Sequence, residues 1–203
     1  LFYGLIITGS NRVIVLEKQF ASRLNSFFNT NKVVFIPHGV DTNIKIIDSD
    51  KAKAKLGISK DKFVILNFGF LNWYKGSDIL VESFSKYSLN NKNNKSLLIL
   101  AGGKSLVHNL SSNYQVLTSK INEIVNNNRN IKLTGFVSER DIPLYFAASN
   151  LLVFPYRAFI SSSGPLSFAF SFKKPILVSN SLEGYFQSDD FKYALVKSDL
   201  TQK

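Results

Sequence analysis

Short apolar runs alternate with amphipathic stretches along most of the chain. Residues 13–16 and 33–36 are runs of strand length, the second stopped by Pro37 and Gly39. Between them Phe20, Leu24, Phe27 and Phe28 recur at helical spacing on one face. Residues 49–56 read as a short helix ended by Gly57. Phe63–Phe68 is apolar without alternation, as expected of a strand buried on both faces. After the Gly69 loop a helix starts near Gly76, Ser77 and Asp78, with Leu80, Phe84 and Tyr87 on one face. Residues 97–101 form another buried strand, ended by Gly102 and Gly103. A helix carries Tyr114, Leu117, Ile121 and Ile124, and the polar run 126–130 breaks it. Residues 131–133, 151–154 and 175–178 read as strands, with helices over 141–148 and 164–172 between them. The apolar run 1–8 reads as one more buried strand, and 194–196 as another.

Strands alternating with helices predict an α/β fold, a Rossmann-like parallel sheet flanked by helices with right-handed crossovers. In such folds a ligand binds beyond the carboxyl ends of the strands. That rule selects the loops at His38–Gly39, 69–75, Gly102–Gly103, 135–137 and 155–164, and the chain from Ser179 onward.

Two of these loops have the makings of an anion site. In the first, a strand and Gly69 lead through Phe70, Leu71, Asn72, Trp73 and Tyr74 to Lys75, Gly76 and a helix. Free N–H groups at a helix start, the helix dipole and a lysine all favour phosphate. The glycine spacing is not that of a Walker loop, and the segment also fits an ordinary strand-to-helix connection with a surface lysine. In the second, Ser161, Ser162, Ser163, Gly164 and Pro165 place hydroxyls and free N–H groups at a helix start. That run equally fits a plain helix cap. Gly135, Phe136 and Val137 could line a flat base or form a hydrophobic turn. Arg157 could face a phosphate or lie in solvent; Trp73 and Tyr74 could cover a sugar or merely pack; His38 reads as a turn histidine. Glu139, Arg140 and Asp141 read as a charged helix start.

Composition narrows the chemistry. Apolar residues make up 45% of the 203, enough for a core and too many for a disordered chain. The absence of Cys excludes disulfides, thiolate catalysis and Cys-based metal sites. His38 and His108 alone supply imidazole, too few for a His-rich metal centre. A net charge of +11 suits nucleic acid, anionic lipid or phosphorylated ligands. The lysines are scattered, however: Lys51, Lys53 and Lys55 sit beside Asp48 and Asp50, and no basic block interleaved with aromatics points to nucleic acid. No stretch reaches the roughly 18 to 20 apolar residues of a membrane span, and 1–8 lacks a basic leader or cleavage site. The chain opens with Leu1, holds no Met, and reads as a piece trimmed from a longer one.

Taken in order, several runs resemble the family 4 (group 1) glycosyltransferases of the GT-B fold. They are Val34-Phe35-Ile36-Pro37-His38-Gly39-Val40-Asp41, Phe68-Gly69-Phe70-Leu71-Asn72-Trp73-Tyr74-Lys75-Gly76, Leu98-Ile99-Leu100-Ala101-Gly102-Gly103, Gly135-Phe136-Val137, Leu151-Leu152-Val153-Phe154-Pro155-Tyr156 and Lys174-Pro175-Ile176-Leu177-Val178. The resemblance implies two Rossmann-like domains about a cleft. Residues 1–30 would be the tail of an N-terminal acceptor domain with its connecting helix. Residues 31–203 would be the C-terminal domain that binds a nucleotide-sugar, the whole truncated at both ends. It implies a cytoplasmic, metal-independent and retaining hexosyltransferase with a nucleotide-sugar co-substrate, no cofactor and a sugar or lipid-linked acceptor. The basic surface suits a peripheral membrane contact.

On that resemblance Lys75 is the catalytic cation, and Gly69, Lys75, Gly76, Phe136, Val137, Ser161, Ser162, Ser163 and Gly164 bind the donor. Two family features are replaced. The arginine after the loop glycine is Phe70, and the paired glutamates, expected near Ile160 and Phe168, give way to the Ser161–Pro165 run. These replacements leave a second reading open, a non-catalytic GT-B-like binding or scaffolding module.

Overall fold

The computed structural model describes residues 2–41, 43–91, 95–103, 112–158 and 163–185. Its centre is a five-stranded, all-parallel sheet in the order β5 (Ile131–Gly135), β4 (Ser96–Ala101), β3 (Phe63–Phe68), β6 (Leu151–Phe154) and β7 (Ile176–Val178). Helices α4 (Ser77–Asn90), α5 (Ser112–Asn126), α6 (Ile142–Ala148) and α7 (Gly164–Ser171) fill the crossovers. The chain steps outward from β3 to β5, then returns to the far side of β3 for β6. Strand order therefore reverses between β3 and β6, the place where such sheets hold ligands.

The period-two geometry of the strands divides the core in two. On β3 and β4, Val64, Leu66, Ile99 and Ala101 face one side with Phe146 of α6 and Leu166, Ala169 and Phe172 around α7. Leu98 and Leu100 face the other side with Val81 and Phe84 of α4 and Leu117 and Ile121 of α5. Both faces are covered, which is why these strands show no polar alternation in sequence. The Phe146 ring, fully buried, meets Phe68 at 5.0 Å, Phe168 at 5.6 Å and Phe172 at 5.1 Å between ring centres. Helix α3 (Ser49–Lys55) is capped by the Asp48 side chain and packs on α6 through Ala52, Ala147 and Ala148. Small residues on both sides let the two helices approach closely.

A smaller cluster lies outside this core. Strands β1 (Val13–Val15) and β2 (Val33–Phe35) pair in parallel, with Ile7, Ala21, Leu24 and Val33 buried between them and the helices α1 (Phe2–Gly9) and α2 (Lys18–Phe27). Helix α1 corrects the strand expected over residues 1–8. An apolar run without alternation has no period to separate strand from helix. Here the Lys32 ammonium settles the end of the element by donating to the carbonyls of Ile7 (3.2 Å) and Thr8 (3.4 Å). Only Ile7 of this helix is buried. Two further expectations shift: Phe27 is 82% exposed and Tyr87 50%, so Ala21 and Leu24 carry the inner face of α2, with Phe20 and Phe28 packed beside them, and Leu80, Val81 and Phe84 that of α4. The expected strand at 194–196 lies outside the described residues.

Phe146 joins α6 and α7 to the sheet. Phe146→Ala is expected to cost about 3–5 kcal/mol, read as a lowered midpoint in urea unfolding with an unchanged slope.

Candidate functional site

The carboxyl ends of β3 and β6 carry the two loops that meet at the reversal point. The backbone ladder between these strands registers Ile65 with Leu151 and Leu66 with Leu152. One residue on, the buried Asn67 side chain takes over the pairing. Its amide donates to the Val153 carbonyl (2.8 Å), and its oxygen accepts from the Ser77 hydroxyl (2.9 Å) in the first turn of α4. A single side chain thus ties β3, β6 and the α4 start together.

Beyond this tie the two loops match residue by residue. The Arg157 amide donates to the Tyr74 carbonyl at 2.7 Å. The Lys75 ammonium lies 6.0 Å from the centre of the Tyr156 ring and 5.9 Å from that of Tyr74. Gly76 lies against Pro155 so closely that a Cβ would fall 2.0 Å from the Pro155 carbonyl oxygen, at a φ of +65° that disfavours any side chain. Lys75 then arches back over Gly69, whose φ is +119°; a Cβ there would fall 2.7 Å from the Lys75 Nζ and 3.2 Å from Pro165 Cγ. Gly69 and Lys75 are therefore neighbours of the start of α7, although about half of the domain separates them from it in sequence.

The α7 end is well built. The buried Ser163 hydroxyl accepts from the Leu166 amide (3.3 Å) as the N-cap and shares a 2.9 Å hydrogen bond with the Tyr156 hydroxyl. The Tyr156 carbonyl accepts from Ser179 (2.6 Å) and Ser181 (2.7 Å). On the other flank, the Leu71 amide donates to the Gly103 carbonyl (3.2 Å), and Gly102 bridges to Gly135. This brings the loop of Phe136 beside the Gly102–Gly103 turn. Phe136 is 76% exposed, while Val137 is partly buried against the core.

The structure therefore gathers Gly69, Lys75, Gly76, Ser163 and Gly164 around one point, with Phe136 and Val137 at the end of β5 joined to it through the turn at Gly102. Ser161 and Ser162, like Ile160 and His108, lie outside the described residues. His38 is exposed and its ring nitrogen pairs with the neighbouring Gly39 carbonyl, 3.1 Å away. Phe70 is 48% exposed, and Phe168 sits on α7 at 38%.

Charge at this point comes from Lys75. Among the described residues it has no carboxylate or carbonyl partner, and its half-buried setting pushes the ammonium down to about 8 despite the two tyrosine rings. Arg157 is not the solvated side chain that was one of its two expected readings. Its guanidinium makes a bidentate pair with Asp78, 2.8 Å and 2.6 Å, and also donates to the Trp73 carbonyl at 2.8 Å. Both side chains of the pair are only 11% exposed. The Arg157 plane lies 5.4 Å from the Trp73 ring, and its buried Nε has no partner among the described residues. Sequence reasoning missed Asp78, because an acid in the first helical turn is accounted for by the helix dipole. No local signal pairs it with Arg157, which lies three residues past the end of β6.

The site is thus the reversal point of a doubly wound parallel domain, carrying a lysine, a capped helix start and a glycine loop. A family model described as glycosyl transferases group 1 matches residues 48–187, and the chain belongs to that family. Solved structures agree in fold. Alr3699/HepE of Anabaena, crystallised with UDP and glucose, superposes with a TM-score of 0.70 at 20% identity, over 95% of this chain and 51% of that one. Sucrose-phosphate synthase of Thermosynechococcus elongatus gives 0.70 at 20%, over 88% and 43%. The C-terminal domain of LpcC, a group 1 family protein of Francisella tularensis, gives 0.60 at 19%, over 81% and 83%. The chain thus spans about half the length of the first two, and most of the isolated C-terminal domain. No curated protein matches it. Among the described residues, no helix is long and apolar enough to cross a membrane.

Two outcomes are expected at this site. Gly76→Ala places a methyl group on the Pro155 carbonyl at a left-handed φ and should destabilise the protein by more than about 1 kcal/mol, measured by urea unfolding. Lys75→Met keeps the stem and removes the charge. At about pH 7 the ammonium is charged in both folded and unfolded chains, and only the folded chain bears its desolvation. The variant should therefore melt above the natural protein there. As pH rises from about 8 toward 10.5 the folded chain gives up a proton that the unfolded chain keeps, so the natural protein gains and the difference in Tm should shrink.

Proposed function

We propose that the protein is a hexosyltransferase that uses a nucleotide-sugar, and that the β3–β6 crevice binds the donor's diphosphate. The observation that carries this is Lys75: a half-buried ammonium without an acidic partner among the described residues, set beside the capped start of α7. An anion there would gain from the charge and from the positive end of the α7 dipole, where Ser163 already takes the Leu166 amide and Pro165 has none. Burial makes each such interaction stronger than it would be in water.

In the reaction the bond from the sugar C1 to the diphosphate oxygen breaks, and an acceptor hydroxyl bonds to C1 through its oxygen as its proton passes to the departing diphosphate. Negative charge develops on the departing nucleoside diphosphate. Lys75 and the α7 amides stabilise it, with Ser161, Ser162, Ser163 and Gly164 forming the cradle. On this reading the step uses no metal ion or cofactor and retains the anomeric configuration, as the family resemblance implies. Gly69 and Gly76 give the ligand and Lys75 room. Phe136 and Val137 form the wall of the base site. The acceptor, a sugar or lipid-linked sugar at a cytoplasmic membrane surface, is handled by an N-terminal domain whose tail is residues 1–30; the donor domain is 31–203.

Phe168, on α7 where the family resemblance calls for a glutamate, favours the second reading, a GT-B-like module that binds without turnover.

The test is thermal unfolding with UDP, GDP and ADP. A nucleotide at 100 times its Kd should add about 2.7 kcal/mol of stability. We expect one of them to do so, and Lys75→Ala to reduce the gain to that of a much weaker, still measurable binding. Because the diphosphate pairs with the charged amine, its affinity should fall roughly tenfold per pH unit above about 8. An unchanged affinity for Lys75→Ala would overturn the donor-site reading, and binding without sugar transfer by the complete protein would select the second one.

A further inference from the structure

We propose that Arg157, held by Asp78, is the positioning residue that fixes where Lys75 places its ammonium. The inference rests on the reading of Lys75 as the diphosphate ligand. Three separate contacts support it. The Arg157 guanidinium donates to the Trp73 carbonyl (2.8 Å), its backbone amide donates to the Tyr74 carbonyl (2.7 Å), and both carbonyls belong to the turn that ends at Lys75. The Trp73 ring lies 5.4 Å from the guanidinium, which closes the turn from a third side.

The turn itself needs this support. Trp73–Lys75 is a single turn of 3-10 helix with no buried residue of its own and no side-chain cap at Asn72. Its next residue, Gly76, has left-handed backbone. Nothing intrinsic to those residues fixes the direction of the lysine stem, so the fixing contacts come from outside the turn. Arg157 supplies those on the near side of Lys75, and Pro155, packed on Gly76, supplies those on the far side. Tyr156 lies between them and links the same segment to the α7 cap through Ser163. Lys75 and the α7 amides are therefore set relative to each other by one tripeptide, Pro155-Tyr156-Arg157.

Asp78 makes Arg157 suitable for this role. The bidentate geometry fixes the guanidinium plane, which a lysine at 157 would leave undefined. The pair also neutralises the arginine charge, so that Arg157 orients the site without competing with Lys75 for the anion.

The experiment measures UDP, GDP and ADP binding by calorimetry to four proteins: natural, Arg157→Lys, the double variant Asp78→Asn/Arg157→Gln, and Lys75→Ala. Each change at 157 is also made on the Lys75→Ala background. The double variant removes the bridge without leaving a buried charge unpaired, and a circular dichroism melt confirms that each protein is folded at the temperature of measurement. For the nucleotide that binds, Arg157→Lys and the double variant should each lower affinity roughly tenfold. Neither should lower it further once Lys75 is alanine. A residue that only supports the fold would lower Tm and leave the affinity of the folded protein unchanged. The inference is overturned if Arg157→Lys and the double variant bind as the natural protein does while Lys75→Ala loses binding. It is also overturned if the Arg157 effect persists undiminished without Lys75. If the natural protein binds none of the nucleotides, or Lys75→Ala binds as well as the natural protein, the donor-site reading fails first and this inference falls with it.

Discussion

The Pro155 carbonyl oxygen occupies the space in which a side chain at residue 76 would begin, and the geometry of the candidate site follows from that contact. With no Cβ at Gly76, the loop after β3 lies directly on the loop after β6. That approach puts the Tyr74 carbonyl in reach of the Arg157 amide, Lys75 beside the Tyr156 ring, and the Asp78 carboxylate opposite the Arg157 guanidinium. Asn67 prepares the contact one layer deeper, by joining β3 to β6 where their ladder stops and by holding the α4 start through Ser77. Glycine alone allows both the left-handed backbone and the approach.

Two cations stand near the same crevice and meet opposite fates. Arg157 is spent on structure: its planar fork matches a carboxylate, and it stays charged when buried. Lys75 keeps its donors free of carboxylate and carbonyl partners among the described residues, and burial lowers its proton affinity to about 8. A group held in this way is costly to keep charged alone and gains when an anion arrives. This is preorganisation, with the cost of orienting the group met during folding and not at binding.

Much of this was legible in the sequence. The five central strands, α3 to α7 and the parallel order follow from apolar runs separated by glycine and from helical spacing. The rule that ligands gather at strand carboxyl ends selected Gly69, Lys75, Ser163 and Phe136 before any geometry was known. The readings that failed share one cause. An unbroken apolar run carries no period that would reveal the helix at 2–9, and spacing sets a face without setting its limits, so it does not show Phe27 and Tyr87 turning outward. Asp78 and Arg157 each had an adequate local explanation, and local explanations do not reveal partners.

The sequence by itself determined the class of fold and the chemistry available at the strand ends: lysine, hydroxyl and glycine, without thiol and with scarcely any imidazole. These are properties of single residues and short periods, and tertiary contacts do not alter them. Only the tertiary structure decided which of the charged groups would pair with each other. Pairing Arg157 with Asp78 joins residues 79 apart in the chain, and setting Lys75 against Tyr156 joins two different loops. Those distances depend on the reversal of strand order between β3 and β6, which no local pattern encodes.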